Sequence, residues 1–379
     1  MKKVKKWIKL RILFFTDLHI PNNTNSTSNA DFRECLEFFQ FVKKEIVENM
    51  IDIVIFGGDL FDDPKSITSS VLSFFSDEIA TISQLANLIL LVGNHDSIDN
   101  KIENKQKINL LTYLKHYDRI SVIEEPQIIT IHEEETQLLL VPYCKNINDI
   151  LLDQNSKMIS KYKKILFGHF DILDFKYIAV NKEGIEKVIG KIPSSKDLIE
   201  KYEFDLSFLG HIHEPCTFGD NDEVIFTGSC RNINFGNTTL EKYIYIIDTS
   251  DLTFKKIENP NVYYFKKFYS LNELKKYMVD NSKEVLSRTR IIYYYKEMDE
   301  INKLNKIKSY FDMIRLEKEN INFKNSSNNS VDEDFFKKKY SVVTKNNLIP
   351  FIYEFTNLEE EKKEKYTKMF NLIERQQLK

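Results

Sequence analysis

Ile12-Leu13-Phe14-Phe15-Thr16-Asp17-Leu18-His19 runs from four consecutive apolar residues straight into an aspartate and a histidine. A short unbroken apolar run reads as a strand buried on both faces, and the polar residues behind it stand where such a strand ends. The pattern recurs. Ile53–Phe56 leads into Gly57-Gly58-Asp59, Leu88–Val92 into Gly93-Asn94-His95-Asp96, Ile165–Phe167 into Gly168-His169, and Leu206–Leu209 into Gly210-His211-Ile212-His213. Five of the seven histidines lie in these blocks. A hydrophobic core gives no reason to place histidine, aspartate and asparagine so regularly at strand ends; a metal site does.

Between the runs, Phe32, Leu36, Phe39, Val42 and Ile46 recur at helical spacing, as do Val71, Phe74, Phe75 and Ile79. Leu138–Val141 and Val224–Phe226 read as further strands. Buried strands separated by amphipathic helices predict an α/β chain with helices on both faces of its sheets. The character changes around Asn259-Pro260. Val262–Phe268 and Arg290–Tyr295 read as strands, Leu271–Met278 and Ile301–Met313 as helices, which predicts a small α+β domain. Lys324–Asn329 reads as a linker, and the stretch from Leu348, with Phe351, Ile352, Phe355, Met369, Phe370 and Leu372, as a helical tail with an apolar stripe. The expected boundaries are 1–258, 259–323 and 324–379.

Composition narrows the class. The chain has 379 residues, an apolar fraction of 42% and no run near the roughly 20 residues of a membrane span. Its basic start, Met1-Lys2-Lys3-Val4-Lys5-Lys6, is followed by too short an apolar stretch for a signal peptide and is expected to be a mature start. Four scattered cysteines, with no C-x-x-C pair, fit a reducing cytosol. The net charge of −3 neither announces nor excludes a nucleic-acid partner, because bound divalent metals add positive charge that a sequence count omits.

In an extended segment alternate side chains share a face, so Asp17 and His19 are expected to converge on one ion, as are His211 and His213. Asp59, behind two glycines, has two carboxylate oxygens with which to bridge two metals; Asn94 adds a carbonyl oxygen and His169 an imidazole. The set holds oxygen and nitrogen donors and no thiolate, which suits manganese, iron or zinc in a reactive site. Two metals about 4 Å apart can activate a water and clamp the oxygens of an in-line phosphoryl displacement. His95, if it does not ligate, can protonate the leaving oxygen, with Asp96 fixing its tautomer. Any one of these histidines alone reads more readily as a satisfied core or surface residue than as a functional one; the ordered set does not. His116 and His132 lie outside it. Asp62, Asp63, Asp171 and Asp174 read as capping or surface residues, Asp62 with the further option of edging the site.

In order and spacing the five blocks resemble the calcineurin-like metallophosphoesterases, over roughly residues 10 to 240. The resemblance implies a four-layer αββα sandwich with two central sheets and two metals at strand ends. One metal would be held by Asp17, His19, Asp59 and His213, the other by Asp59, Asn94, His169 and His211, with His95 as proton donor. The protein phosphatases of this family carry an arginine shortly after the GD block and GNHE in the next; here Gly58-Asp59-Leu60-Phe61-Asp62-Asp63 and GNHD argue against them. Gly58–Asp62 and the segment Thr227–Gly236, ending Asn234-Phe235-Gly236, resemble SbcD-type nucleases, which include the T-even phage recombination endonuclease; Cys230 stands where proline is usual. That resemblance implies a manganese-dependent DNA nuclease subunit, exonuclease and endonuclease, acting in repair, recombination or replication, a small capping domain, a tail that grips an SbcC-type ABC ATPase, a possible homodimer and a cytoplasmic, nucleoid-associated location (host cytoplasm if viral). The alternatives are a small-molecule phosphodiesterase or phosphatase, and a scaffold that kept the fold without catalysis.

Overall fold

The computed structural model describes residues 9–22, 29–98, 108–174, 193–233 and 241–318. All belong to one compact unit that ends at Glu319. The basic N-terminus, the loop after Asn22, Asn234-Phe235-Gly236 and the expected linker and tail lie outside the described residues.

Among the described residues two six-stranded sheets dominate. In spatial order the first comprises Thr253–Glu258, Tyr243–Asp248, Arg11–Phe15, Ile53–Phe56, Asn87–Leu91 and Ile120–Ile123. Its last four strands are parallel; Tyr243–Asp248 runs antiparallel to Arg11–Phe15. The second comprises Cys216–Phe218, Val224–Phe226, Leu206–Gly210, Lys163–His169, Thr136–Val141 and Gln127–Ile131, with the middle four parallel.

Strand alternation builds the layers. Leu13, Phe15, Val54 and Phe56 point one way, into a core completed by Phe38, Phe39 and Val42 of the helix Asn29–Glu48 and Val71, Phe75 and Ile79 of the helix Ser69–Leu85. Ile12, Phe14 and Ile55 point the other way and meet Leu138, Leu140, Ile165, Phe167 and Phe208 of the second sheet. The outer face of that sheet, through Leu139, Val141, Leu166 and Leu209, packs on Ile147 and Leu151 of the helix Ile147–Lys157 and on Leu198 and Tyr202. The result is helix, sheet, sheet, helix: the expected four layers, each sheet buried on both faces. Every motif block sits at the carboxyl end of a parallel strand, where α/β sheets form their crevices.

A three-stranded parallel sheet follows, Tyr264–Phe268, Thr289–Tyr295 and Met313–Lys318, with its own apolar core of Phe268, Leu274, Leu286, Ile291, Tyr293, Leu304 and Phe311. One expectation fails here. The helix read over Ile301–Met313 is confined to Met298–Asn305, and the chain continues through a short turn into the third strand. Beyond the span of that reading, Ile314 and Leu316 alternate onto this core with the strand's period of two.

Candidate metal centre

The structure brings all seven expected donor residues together, but not by strand alternation. Asp17 (φ 54°), His19 (φ 48°), Asp59 (φ 58°) and His211 (φ 79°) lie in the left-handed region. The expected extended geometry therefore does not hold beyond Phe15. The chain turns at alternate residues instead, and the turns are pinned by backbone: Asp17 N–H donates to Gly58 O (3.0 Å), His19 N–H to Asp59 O (3.1 Å). Such conformations cost non-glycine residues on the order of 1 kcal/mol each and persist where the surroundings over-determine them. Two glycines are required by contact. A Cβ at Gly58 (φ 106°) would stand 2.5 Å from His169 Nδ1, and one at Gly93 would stand 2.1 Å from Asp59 Oδ1.

Two groups of donors result. In the first, Asp17 Oδ1 lies 3.7 Å from His19 Nε2 and 3.6 Å from His213 Nε2. Asp17 Oδ2 is already occupied, accepting from Thr16 Oγ1 (2.7 Å) and His211 N–H (3.0 Å). In the second, Asn94 Oδ1 faces His169 Nε2 (3.1 Å) and His211 Nδ1 (2.9 Å), and Asp59 Oδ2 lies 3.3 Å from His169 Nε2. Asp59 Oδ2 also lies 3.7 Å from His19 Nε2, while Asp59 Oδ1 accepts from His95 N–H (2.7 Å). One oxygen of Asp59, not two, faces both groups.

The residues fit divalent cations. Asp17 Oδ1 and both ring nitrogens of His19 are buried with no hydrogen-bond partner. His169 Nδ1 donates to Gly57 O (2.7 Å), so its neutral Nε2 would aim a lone pair at the oxygens of Asn94 and Asp59. Lone pair against lone pair is repulsive unless a cation or a proton lies between. Ligands each about 2.1 Å from one ion stand roughly 3–3.6 Å apart, close to the spacings found here.

Without metal, protons take that place. Burial opposes charge on His19, but Asp17, Asp62 and Asp59 outweigh it and lift its pKa to about 10. Burial likewise opposes charge on His169, which Asp59 and Asp17 lift to about 9. Burial raises the carboxyls of Asp17 and Asp59, yet the facing imidazoles hold both below the usual carboxylate range. For His213 burial wins, and its pKa falls to about 4.

Asp96 departs from its expected role. It makes no hydrogen bond to His95. Its fully buried carboxylate accepts from the N–H groups of Asp59 (2.9 Å), Leu60 (2.9 Å), Phe61 (3.4 Å) and Gly93 (2.9 Å), tying the second block to the third. Burial and the neighbouring Asp59 raise its pKa to about 6, against the pull of those donors. The group that fixes His95 is the carbonyl of Asp62, 2.6 Å from His95 Nδ1. A carbonyl only accepts, so the Nδ1 proton is placed there and Nε2 is the ring atom left to exchange one. His95 also stands close enough to His19 and Asp59 to join them in a third candidate donor group.

Two carboxylates emerge that sequence reasoning assigns first to caps or the surface, with edging the site as a further option for Asp62 alone. Asp62 Oδ1 lies 3.5 Å from His19 Nδ1, and Asp171 Oδ2 lies 3.4 Å from His211 Nε2. Carboxylates behind metal-ligating imidazoles orient them. The available signal is position: each follows its motif residue by two or three places. Asp63, not Asp62, caps the local turn through Lys65 N–H and Ser66 Oγ.

Among known proteins, the chain is 23% identical over 281 residues to SbcD, one component of the nuclease SbcCD of Escherichia coli, covering 67% of this chain and 68% of that one. It is 22% identical over 259 residues to the DNA double-strand break repair protein Mre11 of Nanoarchaeum equitans, covering 62% and 66%. A solved archaeal phosphodiesterase superposes with a TM-score of 0.34 at 15% identity, covering 66% of this chain and 100% of that chain. The family model of the calcineurin-like phosphoesterases matches residues 10–215, more than half of the sequence and all five motif blocks, and the chain belongs to that family.

Proposed function

We propose that this chain is a DNA nuclease subunit that hydrolyses phosphodiester bonds with two divalent cations, Mn2+ by preference, in repair or recombination. The supporting observation is a complete donor set in a chain similar over two thirds of its length to a component of an SbcCD nuclease. Asp17, His19, Asp59 and His213 would hold one cation; Asp59, Asn94, His169 and His211 the other. When bound, the cations supply an activated water and offset the charge that builds on phosphorus. His95 would act as the doubly protonated imidazolium, its Nδ1 proton held on the Asp62 carbonyl; Nε2 gives its own proton to the leaving sugar oxygen as the P–O bond breaks, and the ring is left neutral. Asp96 acts as a positioning residue, holding the loops of Asp59 and His95 in register.

In this reading residues 1–258 form the nuclease domain, 259–323 a cap toward DNA, and 324–379 a tail that binds an SbcC-type ATPase. The complex works in the cytoplasm, with a second copy of this chain as a further partner. No helix among the described residues is long and apolar enough to cross a membrane.

The test compares linear and circular duplex DNA with a nitrophenyl phosphodiester, in Mn2+ and in Mg2+. Cleavage of DNA by the wild type is expected, and His95→Ala should lose about 10²–10⁴-fold in rate while still binding two Mn2+. Turnover of the nitrophenyl ester with intact DNA would move the substrate to a small phosphodiester. Wild-type cleavage by His95→Ala would remove the proton-transfer role.

A further inference from the structure

The segment Thr227–Arg231 lies beyond the last motif block, yet it touches both ends of the first donor group. Its backbone reaches one end through Cys230 N–H to Thr16 O (3.2 Å) and the other through Ser229 N–H to His213 O (3.1 Å). Gly228, at φ 72°, makes the turn between them, and a Cβ there would stand 3.0 Å from His213 O. Two buried cations complete the strap. Arg231, 3% exposed, donates from Nε to Leu18 O (2.7 Å) and from Nη2 to His19 O (2.6 Å). Lys242, 1% exposed, donates from Nζ to His213 O (3.0 Å).

We propose that Arg231, assisted by Lys242, is a positioning residue for the cation held by Asp17, His19 and His213, fixing the backbone carbonyls of the two segments that carry those ligands. The inference rests on the metal reading above. Three observations carry it. Asp17 and His19 sit in strained left-handed conformations that need an external hold, and the guanidinium closes on the carbonyls beside them. Burying an arginine is costly unless its whole fork is satisfied, and here the remaining Nη1 reaches Asp31 (3.0 Å) and Glu34 (3.3 Å). That second pair anchors the strap to the helix Asn29–Glu48, and through Arg290, which also meets Asp31, to the three-stranded sheet. A planar fork bonding three carbonyls, the third being Asn232 O (3.4 Å from Nη1), and two carboxylates has no equivalent in the single ammonium of lysine.

The experiment titrates Mn2+ into the metal-free full-length protein by calorimetry. His213→Ala identifies which of the two binding events belongs to the first group. Arg231→Lys keeps the buried charge and loses the fork; it should stay folded and bind that one ion at least about tenfold more weakly, with the other ion unchanged. Lys242→Met keeps the length and removes the donor; it should weaken the same ion by about threefold without lowering the melting temperature. A merely structural role would lower the melting temperature and leave both affinities alone. If both variants fold and bind both ions as the wild type does, the proposal is wrong, and should Arg231→Lys fail to fold, Lys242→Met decides on the same criterion. A wild type that binds no Mn2+ would bring down the metal assignment itself, and this inference with it.

Discussion

The two sides of the donor cluster are held by opposite means. On the side of Asp59 and Asn94, one buried anion, Asp96, gathers four backbone N–H groups from two loops. On the side of Asp17, His19 and His213, two buried cations, Arg231 and Lys242, gather three backbone carbonyls. The loops are short and irregular, so their peptide groups have no ladder to join, and a buried peptide group left unpaired is costly. A single ion with several bonding sites satisfies many at once. The anion lies inside a motif block, where sequence reasoning finds it and gives it the wrong role. The cations lie outside the five blocks: Arg231 falls in the segment Thr227–Gly236 that resembles SbcD-type nucleases, and Lys242 beyond it, but nothing in the sequence gives either of them a role.

The largest effect expected from this contrast is on stability. Asp96→Ala strands four N–H groups in a dry interior and should cost about 3–5 kcal/mol of unfolding free energy, read from urea denaturation of the metal-free protein. A loss below about 1 kcal/mol would mean that the N–H groups find other acceptors and that the anion is not what holds the loops.

The two sides should behave alike toward pH. In the metal-free protein His19 and His169 have pKa values raised to about 10 and about 9, from an ordinary value near 6.5. A raised imidazole pKa favours the folded state fully below pH 6.5, and that contribution is lost as the pH climbs through 9 and 10. The melting temperature in a chelator should therefore fall over this range. A cation must displace the same protons, so Mn2+ affinity should rise with pH up to about 10, and loading at pH 7 should release about one proton for each of these two imidazoles. His213, at about 4, is already neutral and releases none. Calorimetry in buffers of different ionisation enthalpy measures the count; release of no protons would mean that the imidazoles enter the site neutral.

What is legible in the sequence follows the same division. Unbroken apolar runs such as Ile53–Phe56 announce strands buried on both faces, and the blocks behind them announce donors, because both signals are local. The strands Tyr243–Asp248 and Thr253–Glu258 escape sequence reasoning although they complete the first sheet. Tyr243–Asp248 ends in no motif block, and Thr253–Glu258 is half exposed and rich in charge. The left-handed turns at Asp17 and His19 read as extended, since nothing in Asp-Leu-His reveals that Gly58 and Asp59 offer carbonyls to their N–H groups. Long-range backbone pairing has no signature in composition.

The smallest expected effects separate the two sides most cleanly. His169 rests its second nitrogen on a backbone carbonyl, which substitution cannot remove, but His211 and His19 rest theirs near carboxylates. Asp171 is the more buried of the two, with a side-chain exposure of 33% against 54% for Asp62, and its Oδ1 has no hydrogen-bond partner. Water screens Asp62 more, so its hold on His19 should be the weaker. Asp171→Asn should therefore weaken the ion of Asp59, Asn94, His169 and His211 by about 10–100-fold. Asp62→Asn should weaken the other ion by less than about tenfold. Each substitution should leave the opposite ion unmoved in the same Mn2+ titration. If Asp171→Asn weakened both ions equally, the carboxylate would be acting through the net charge of the whole cluster. The two sides would then be one electrostatic unit joined through Asp59, whose single facing oxygen is the atom they share.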